Sequence, residues 1–221
     1  MAEKRTRSTY HHGDLRAALI AAGITLARDG GPDAVVLREV ARAVGVAPNS
    51  AYGHFATLTA LKKAVAQTAR ADMAEAMSLR LAARTTTDST DPQDAARAYL
   101  RDVGRAYVHF ALTEPGLFRT AMGGDPTGIR VPGGPDRNRA DDDDPRPKPK
   151  AMLEKALTGL IDAGCLRPAD VGRAVMASWA TVHGLSIMLL DLLPQLTDGA
   201  RDAAIDGALD VLLAGLTGGR A

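Results

Sequence analysis

The chain has 221 residues, 46% of them hydrophobic and 24% charged, with 27 Lys and Arg against 26 Asp and Glu. This is an ordinary globular balance with enough apolar material for a sizeable core, and it excludes collagen-like, repetitive and wholly disordered chains. Aromatic residues make up only 4%, which favours helices over the strands of sandwiches, and the single Cys165 allows neither an internal disulfide nor a Cys-rich metal site.

Residues 1–10 are polar and basic and show no secretory signal, so a cytoplasmic protein is expected. The span 175–193 reaches membrane-crossing length but carries His183 and Asp191, and is expected to be a buried helix of a soluble protein with no membrane partner. The net charge of +1 conceals an asymmetry. Residues 1–70 hold ten Lys and Arg against five Asp and Glu, a net of +5, and the remainder hold 17 against 21, a net of −4. A basic amino-terminal end suits a polyanionic partner.

In chain order, Leu15, Ala18, Leu19, Ala22 and Leu26 fall at helical spacing and predict a helix over 13–28, ended by Asp29-Gly30-Gly31-Pro32. A short second helix follows, with Leu37, Val40, Ala41 and Val44 on one face and Arg38, Glu39 and Arg42 on the other, and Gly45 supplies its left-handed stop. Pro48 suits the first turn of a third helix, about two turns long and ending near His54-Phe55. Thr57 offers an N-cap to a longer linker helix through Leu61, Val65, Thr68 and Met73 towards Leu81. The polar run 84–91 reads as a boundary, and Asp91-Pro92 opens a helix through Ala96, Tyr99, Val103, Tyr107 and Phe110 that breaks at Glu114-Pro115-Gly116.

The segment 123–147 is dominated by Gly, Pro and Asp and is expected to be a mobile loop, since it cannot bury enough surface to offset its ordering entropy. Helices resume over Met152 to Gly164 and from about Ala169 to Leu193, stopped by Pro194. The last helix carries Ile205, Ala208, Leu209, Leu212, Leu213 and Leu216 on a wide apolar face. The expected fold is therefore all-α, with about nine helices and no strand pattern.

The short helix, tight turn and second short helix of residues 36–55 have the proportions of a helix-turn-helix, whose second helix offers its first residues to base edges in the major groove. The arm with Lys4, Arg5 and Arg7 could neutralise phosphates or enter a minor groove.

Tyr10-His11-His12-Gly13-Asp14-Leu15, Leu37-Arg38-Glu39-Val40-Ala41, Gly45-Val46 and Tyr52-Gly53-His54-Phe55, with Leu61 six residues on, together resemble the amino-terminal DNA-binding domain of TetR-type (tetracycline-repressor-like) transcriptional regulators. The resemblance implies that Ala47, Pro48, Asn49 and Ser50 open the recognition helix and that Tyr52 and His54 face the sugar-phosphate backbone. Thr57 opens the next helix, an anion-binding end, with Lys62 and Lys63 a turn further on. Arg38 completes the candidate DNA contacts. Val36, Ala47 and Leu58 stand where the family usually carries polar residues, and each lost cap weakens a helix end by about 1 kcal/mol. Gly53 has no side chain, which leaves Asn49 and Ser50 as the base readers; Asn pairs bidentately with adenine.

Trp179-Ala180-Thr181-Val182-His183-Gly184, preceded by Glu114 to Arg119, is similar to the regulatory domain of a TetR-type subgroup marked by a Trp, His and Gly on its penultimate long helix. This implies ligand sensing and a homodimer whose last two helices pair with their copies in a four-helix bundle, with the face from Ile205 to Leu216 as the exposed seam. Candidate effector contacts are Tyr99, Val103, Tyr107, Phe110, Phe118, Met122, Trp179 and His183, a set suited to an apolar or aromatic small molecule.

No nucleophile turn, phosphate loop or zinc-binding helix motif occurs, and the histidines have no ligand spacing, so neither catalysis, a metal nor a cofactor is expected. The expected organisation is a basic arm (1–11), a DNA-binding domain (12–70) and a ligand-binding and dimerisation domain (71–221). The expected function is a ligand-responsive repressor that binds a pseudo-palindromic duplex operator as a dimer. The alternative is a helical ligand-binding or protein-interaction module without sequence-specific DNA binding.

Overall fold

The computed structural model describes residues 12–83, 90–123 and 148–218. The arm bearing Lys4, Arg5 and Arg7, most of the boundary run and, apart from Gly123, the segment 123–147 lie outside the described residues.

Nine α-helices and no strand form among the described residues: α1 (His12–Ala34), α2 (Leu37–Val44), α3 (Pro48–Tyr52), α4 (Leu58–Ala82), α5 (Pro92–Thr113), α6 (Pro115–Met122), α7 (Pro149–Asp162), α8 (Val171–Ile187) and α9 (Asp198–Thr217). The sequence signals explain most boundaries. Thr57 Oγ1 accepts from the Ala60 amide at 3.1 Å at the start of α4, and Asp91 accepts from the Gln93 amide at 2.9 Å at the start of α5. Gly45, at φ 77°, ends α2 in the left-handed conformation, and its amide and that of Val46 return to carbonyls of α2.

Several expectations are corrected. The first helix runs on through Asp29 and Gly30 and breaks only at Gly31 (φ 67°, ψ −164°), after which Pro32 starts one further turn. α3 stops at Tyr52, short of His54-Phe55. The break at Glu114 leads directly into α6, because Pro115 fits a helical first turn as well as it ends α5. The long penultimate helix is composite, with a 3-10 turn (Pro168–Asp170) before α8 and a π turn (Met188–Leu192) after it.

α1, α2, α3 and the start of α4 share a core that includes Leu19, Val35, Val40, Ala51, Phe55 and Leu61, all essentially inaccessible. α4, 25 residues and about 38 Å long in all, runs out of this body into the rest of the chain. There α5 packs against α4, α7, α8 and α9. α6 packs chiefly against α1 and α4, and Gly116, Leu117, Phe118, Thr120 and Ala121 are all buried, as expected of a helix enclosed on nearly every side.

The carboxyl-terminal faces differ from expectation. Ile205, Leu209, Leu212 and Leu213 are buried within the chain against its own helices, so they are not an exposed seam. Solvent instead meets the opposite side of α9, where Ala203, Gly207, Val211, Ala214 and Gly215 lie, and Val211 is 75% exposed. The segment Pro168–Leu192 is long and apolar enough to cross a membrane by length and composition, yet only 22% of its most apolar window is buried, not the buried helix expected. Met176, Met188 and Leu192 face outward on its open side, while its other side packs on α5, α7 and α9.

Two glycines are set by close approach. A Cβ on Gly104 would lie 2.6 Å from Leu209, so α5 is notched where α9 crosses it. A Cβ on Gly116 would lie 2.3 Å from the carbonyl oxygens of both Ala27 and Arg28, which are backbone atoms of α1 and cannot swing aside. Gly116→Ala is therefore expected to force α6 off α1 and to cost about 1–3 kcal/mol, read as a lowered thermal unfolding midpoint by circular dichroism; an unchanged midpoint would refute this account of the α1–α6 contact.

Candidate DNA-binding and effector sites

The turn between α2 and α3 presents the start of α3 to solvent. Ala47, Pro48, Asn49 and Ser50 are exposed, while Ala51 and Phe55 are buried and anchor the helix from behind. Tyr52 is 55% exposed, and His54 is partly covered. Arg16 lies over the Phe55 ring at 5.1 Å, which fixes α1 to the rear of the turn. Neither Val36 nor Ala47 makes a side-chain cap, in line with their sequence.

The surrounding cations are partly engaged. Arg38 is exposed and reaches Glu39 at 3.3 Å, while Arg42 holds the same carboxylate at 2.5 Å and keeps it below the usual carboxylate range. Lys62 lies 3.9 Å from Asp33, and Lys63 is exposed on the outer side of α4. The exposed groups Arg38, Asn49, Ser50, Tyr52, Thr57 and Lys63 thus come from α2, α3 and the start of α4.

Five of the eight candidate effector residues converge between α5, α6 and α8. The Trp179 and His183 rings stack at 4.5 Å and 13°, as their four-residue separation on one helix allows. His183 lies 5.6 Å from the Phe118 ring, and Phe118 meets Tyr107 edge-on at 5.8 Å. The Tyr107 hydroxyl is 3.1 Å from His183 Nδ1 and 3.5 Å from Met122 Sδ. Burial raises the Tyr107 pKa and lowers that of His183, so both rings are held neutral near pH 7. The cluster can stack an aromatic body and exchange one neutral hydrogen bond.

The other three candidates lie apart from this set of ring contacts. Val103 and Phe110 are buried core residues of α5, and Tyr99 packs under the Lys155 ammonium of α7 at 5.5 Å.

Sequence reading missed the polar ties on α6. Arg28 Nε donates to Glu114 Oε2 at 3.0 Å, Arg70 Nη1 donates to the Ala121 carbonyl at 2.7 Å, and Arg119 pairs with Asp191 in the π turn. Partners 86, 51 and 72 positions apart leave no periodic signal. The helix that carries Phe118 and Met122 is thereby tied to α1, α4 and the end of α8.

The depressed His183 pKa has a sign. Between its folded value and the ordinary 6.5, the unfolded chain binds more protons, so this group's contribution to stability is complete above 6.5 and is lost as pH falls towards the folded value. The thermal midpoint should fall on acidification from about pH 7.5 to about pH 5.5, and less so in His183→Gln. Equal falls in the two proteins would show that His183 does not carry the effect.

Comparison with known proteins follows the same division. Residues 19–65 match the family described as "Bacterial regulatory proteins, tetR family", and residues 100–212, more than half of the chain, match "Tetracyclin repressor-like, C-terminal domain". No curated protein matches the chain. Among solved structures, a protein of unknown function from Rhodococcus is 24% identical at a TM-score of 0.70, covering 96% of this chain and 100% of its own. A TetR variant from Acinetobacter baumannii solved with minocycline is 20% identical at 0.61, covering 93% and 97%, and a tetR-family regulator from Streptomyces coelicolor is 20% identical at 0.59, covering 92% and 83%. These likenesses extend over nearly the whole fold, and the matched profiles span both the helix-turn-helix and the aromatic cluster. The chain belongs to the TetR family and is a DNA-binding transcriptional regulator rather than an enzyme.

Proposed function

We propose that the chain is a cytoplasmic, ligand-responsive repressor that binds a pseudo-palindromic operator as a homodimer. Residues 12–70 are its DNA-reading domain and residues 71–221 its effector and dimerisation domain, with residues 1–11 a basic arm. The observation that carries the reading is the outward start of α3: Asn49 and Ser50 are free to meet base edges while Ala51 and Phe55 hold the helix in place. Tyr52, His54, Thr57, Lys62 and Lys63 would contact the phosphates on either side, with Arg38, Lys4, Arg5 and Arg7 adding charge. In a dimer, two copies of α3 would read half-sites about 34 Å apart or a multiple of that.

The open side of α8 and α9 supports a second copy of this chain as the partner. Met176, Met188, Leu192 and Val211 are exposed there, and Cβ atoms on Gly172, Gly184, Gly207 and Gly215 would meet nothing within 4 Å, which leaves room for close helix approach. Large apolar side chains left in water on both helices are what a permanent interface covers. Val211→Asp, at a site exposed in the single chain, is expected to give a folded monomer by light scattering at micromolar concentration, where the wild type gives a dimer. A monomeric wild type would overturn the proposal.

For the effector, the reading favours an uncharged aromatic molecule stacked among Trp179, His183, Phe118 and Tyr107, with Met122 alongside and with Tyr99, Val103 and Phe110 shaping the walls. A fold neighbour from Acinetobacter baumannii was solved with minocycline, which supports a small-molecule effector. Such a molecule would shift Phe118 and Met122, and α6 would pass the shift to α1 and α4 through Gly116, Arg28–Glu114 and Arg70. Control requires that the effector bind the two states unequally.

In gel shifts against the DNA flanking its own coding region, wild type should bind with strong salt dependence. Asn49→Ala should lose about 1–3 kcal/mol and relax sequence preference, and Lys63→Ala should weaken all sequences alike. Absent or salt-insensitive binding would favour the helical interaction module instead.

A further inference from the structure

What α3 and its flanking turns lack limits which bases they can read. Between Arg42 and Lys62 the chain contains no Arg, Lys, Gln, Asp or Glu. Guanine is read in the major groove by donors aimed at O6 and N7, which Arg or Lys supplies, and cytosine by a carboxylate that accepts from N4. Neither reader stands at the tip of α3. The nearest cations sit on other helices: Arg38 and Arg42 on α2 share the Glu39 carboxylate, and Lys62 and Lys63 lie on α4. In a helix-turn-helix the first of the two helices crosses the sugar-phosphate backbone, so arginines there grip phosphate and not base edges.

The tip of α3 offers instead one amide, one hydroxyl and an apolar knuckle. Asn49 and Ser50 are exposed, and Asn49 spends its backbone carbonyl on the Gly53 amide at 3.3 Å, which leaves its side chain to the groove. Ala47 and Pro48, exposed immediately before them, present a methyl group and a ring edge. A side-chain amide meets adenine with one donor and one acceptor, Nδ2–H on N7 and Oδ1 taking an N6 hydrogen. Against guanine the same placement sets Oδ1 against O6, acceptor against acceptor. The Ser50 hydroxyl suits any base. Ala47 and Pro48 gain only where a base edge is itself apolar, and the C5 methyl of thymine is that group in the major groove.

We propose that the base pairs contacted by α3 are A·T pairs, with Asn49 on an adenine and Ala47 and Pro48 against the methyl group of a neighbouring thymine. This rests on the DNA-reading role proposed above for α3. Residues 47 and 49 are at most about 7 Å apart along the chain, the span of two base pairs at about 3.4 Å each. The amide and the apolar knuckle therefore address the same or adjacent pairs, and the buried Ala51 and Phe55 fix both against one rigid support.

The experiment selects duplexes bound by the full chain from a randomised pool and then alters the enriched half-site atom by atom. The enriched half-sites should share an A·T core, and exchanging the contacted A·T pair for G·C should weaken binding by about ten- to a hundredfold. Base analogues then change the major groove alone, so that any minor-groove contribution of the basic arm stays constant. 7-Deazaadenine, placed at each adenine of the core in turn, lacks the N7 acceptor; at one position it should weaken the wild type roughly fivefold and leave Asn49→Ala unaffected. Uracil in place of the neighbouring thymine removes one methyl group and should weaken the wild type roughly fourfold, with a smaller loss in Ala47→Gly. Enriched half-sites built on G·C pairs, equal losses with 7-deazaadenine in wild type and Asn49→Ala, or no loss with uracil would overturn this base assignment while leaving α3 a DNA reader. A pool that yields bound duplexes without any enriched sequence would instead sink the DNA-reading role itself, and this assignment with it.

Discussion

The contact on which the molecule depends is backbone against backbone, where Gly116 at the start of α6 lies against the carbonyls of Ala27 and Arg28 near the end of α1. Side chains can yield to a disturbance by changing rotamer, but two main-chain segments in van der Waals contact cannot. Whatever displaces α6 must displace α1 with it, and α1 forms one wall of the body that holds α2 and α3. The ion pair from Arg28 to Glu114 is solvent-facing and contributes on the order of 0–1 kcal/mol. Its service is to fix direction; the rigidity comes from the absence of a Cβ.

The two halves of this regulator are built on opposite physical terms. Around α3 the apolar side chains serve only as ballast behind an exposed polar edge, and affinity would come from donors and cations that remain wet until DNA arrives. Between α5, α6 and α8 the polar atoms are few and neutral, because burial disfavours the charged forms of both Tyr107 and His183. A charged effector would find no counter-ion in that cluster. The charged residues of α5 are gathered on its other face, so one helix carries an apolar lining and an ionic one about half a turn apart.

Much of this was legible in the sequence, and the parts that were not share a cause. Thr57, Gly45 and Asp91-Pro92 act within a few residues of themselves, so their spelling is enough to mark a helix end. The aromatic set was legible as residues but not as a constellation: periodicity put Tyr107 and Val103 on one stripe of α5, and only packing separates a ring that meets His183 from a side chain sunk in the core. α6 went unseen because Glu114-Pro115-Gly116 spells a break equally well for a chain that stops and for one that turns a corner and starts again. The last helix misled for a subtler reason. Its large apolar residues draw the eye to a seam, yet large side chains are the ones a chain buries for itself, and the side left open is the one lined with Ala and Gly.

The ionic stripes on α5 and α9 carry a hidden degeneracy. Arg101 pairs with Asp210 and Arg105 with Asp206. Arg97, Arg101, Arg105 and His109 recur every four residues, as do Asp198, Asp202, Asp206 and Asp210, so charge alone would accept α9 one turn along, with Arg101 opposite Asp206 and Arg105 opposite Asp202. Such a four-residue slip of about 6 Å would bring Leu209 out of the notch at Gly104 and onto the buried Leu100. The electrostatic pattern works as a ruler with identical graduations, and one missing methyl group decides which mark is read.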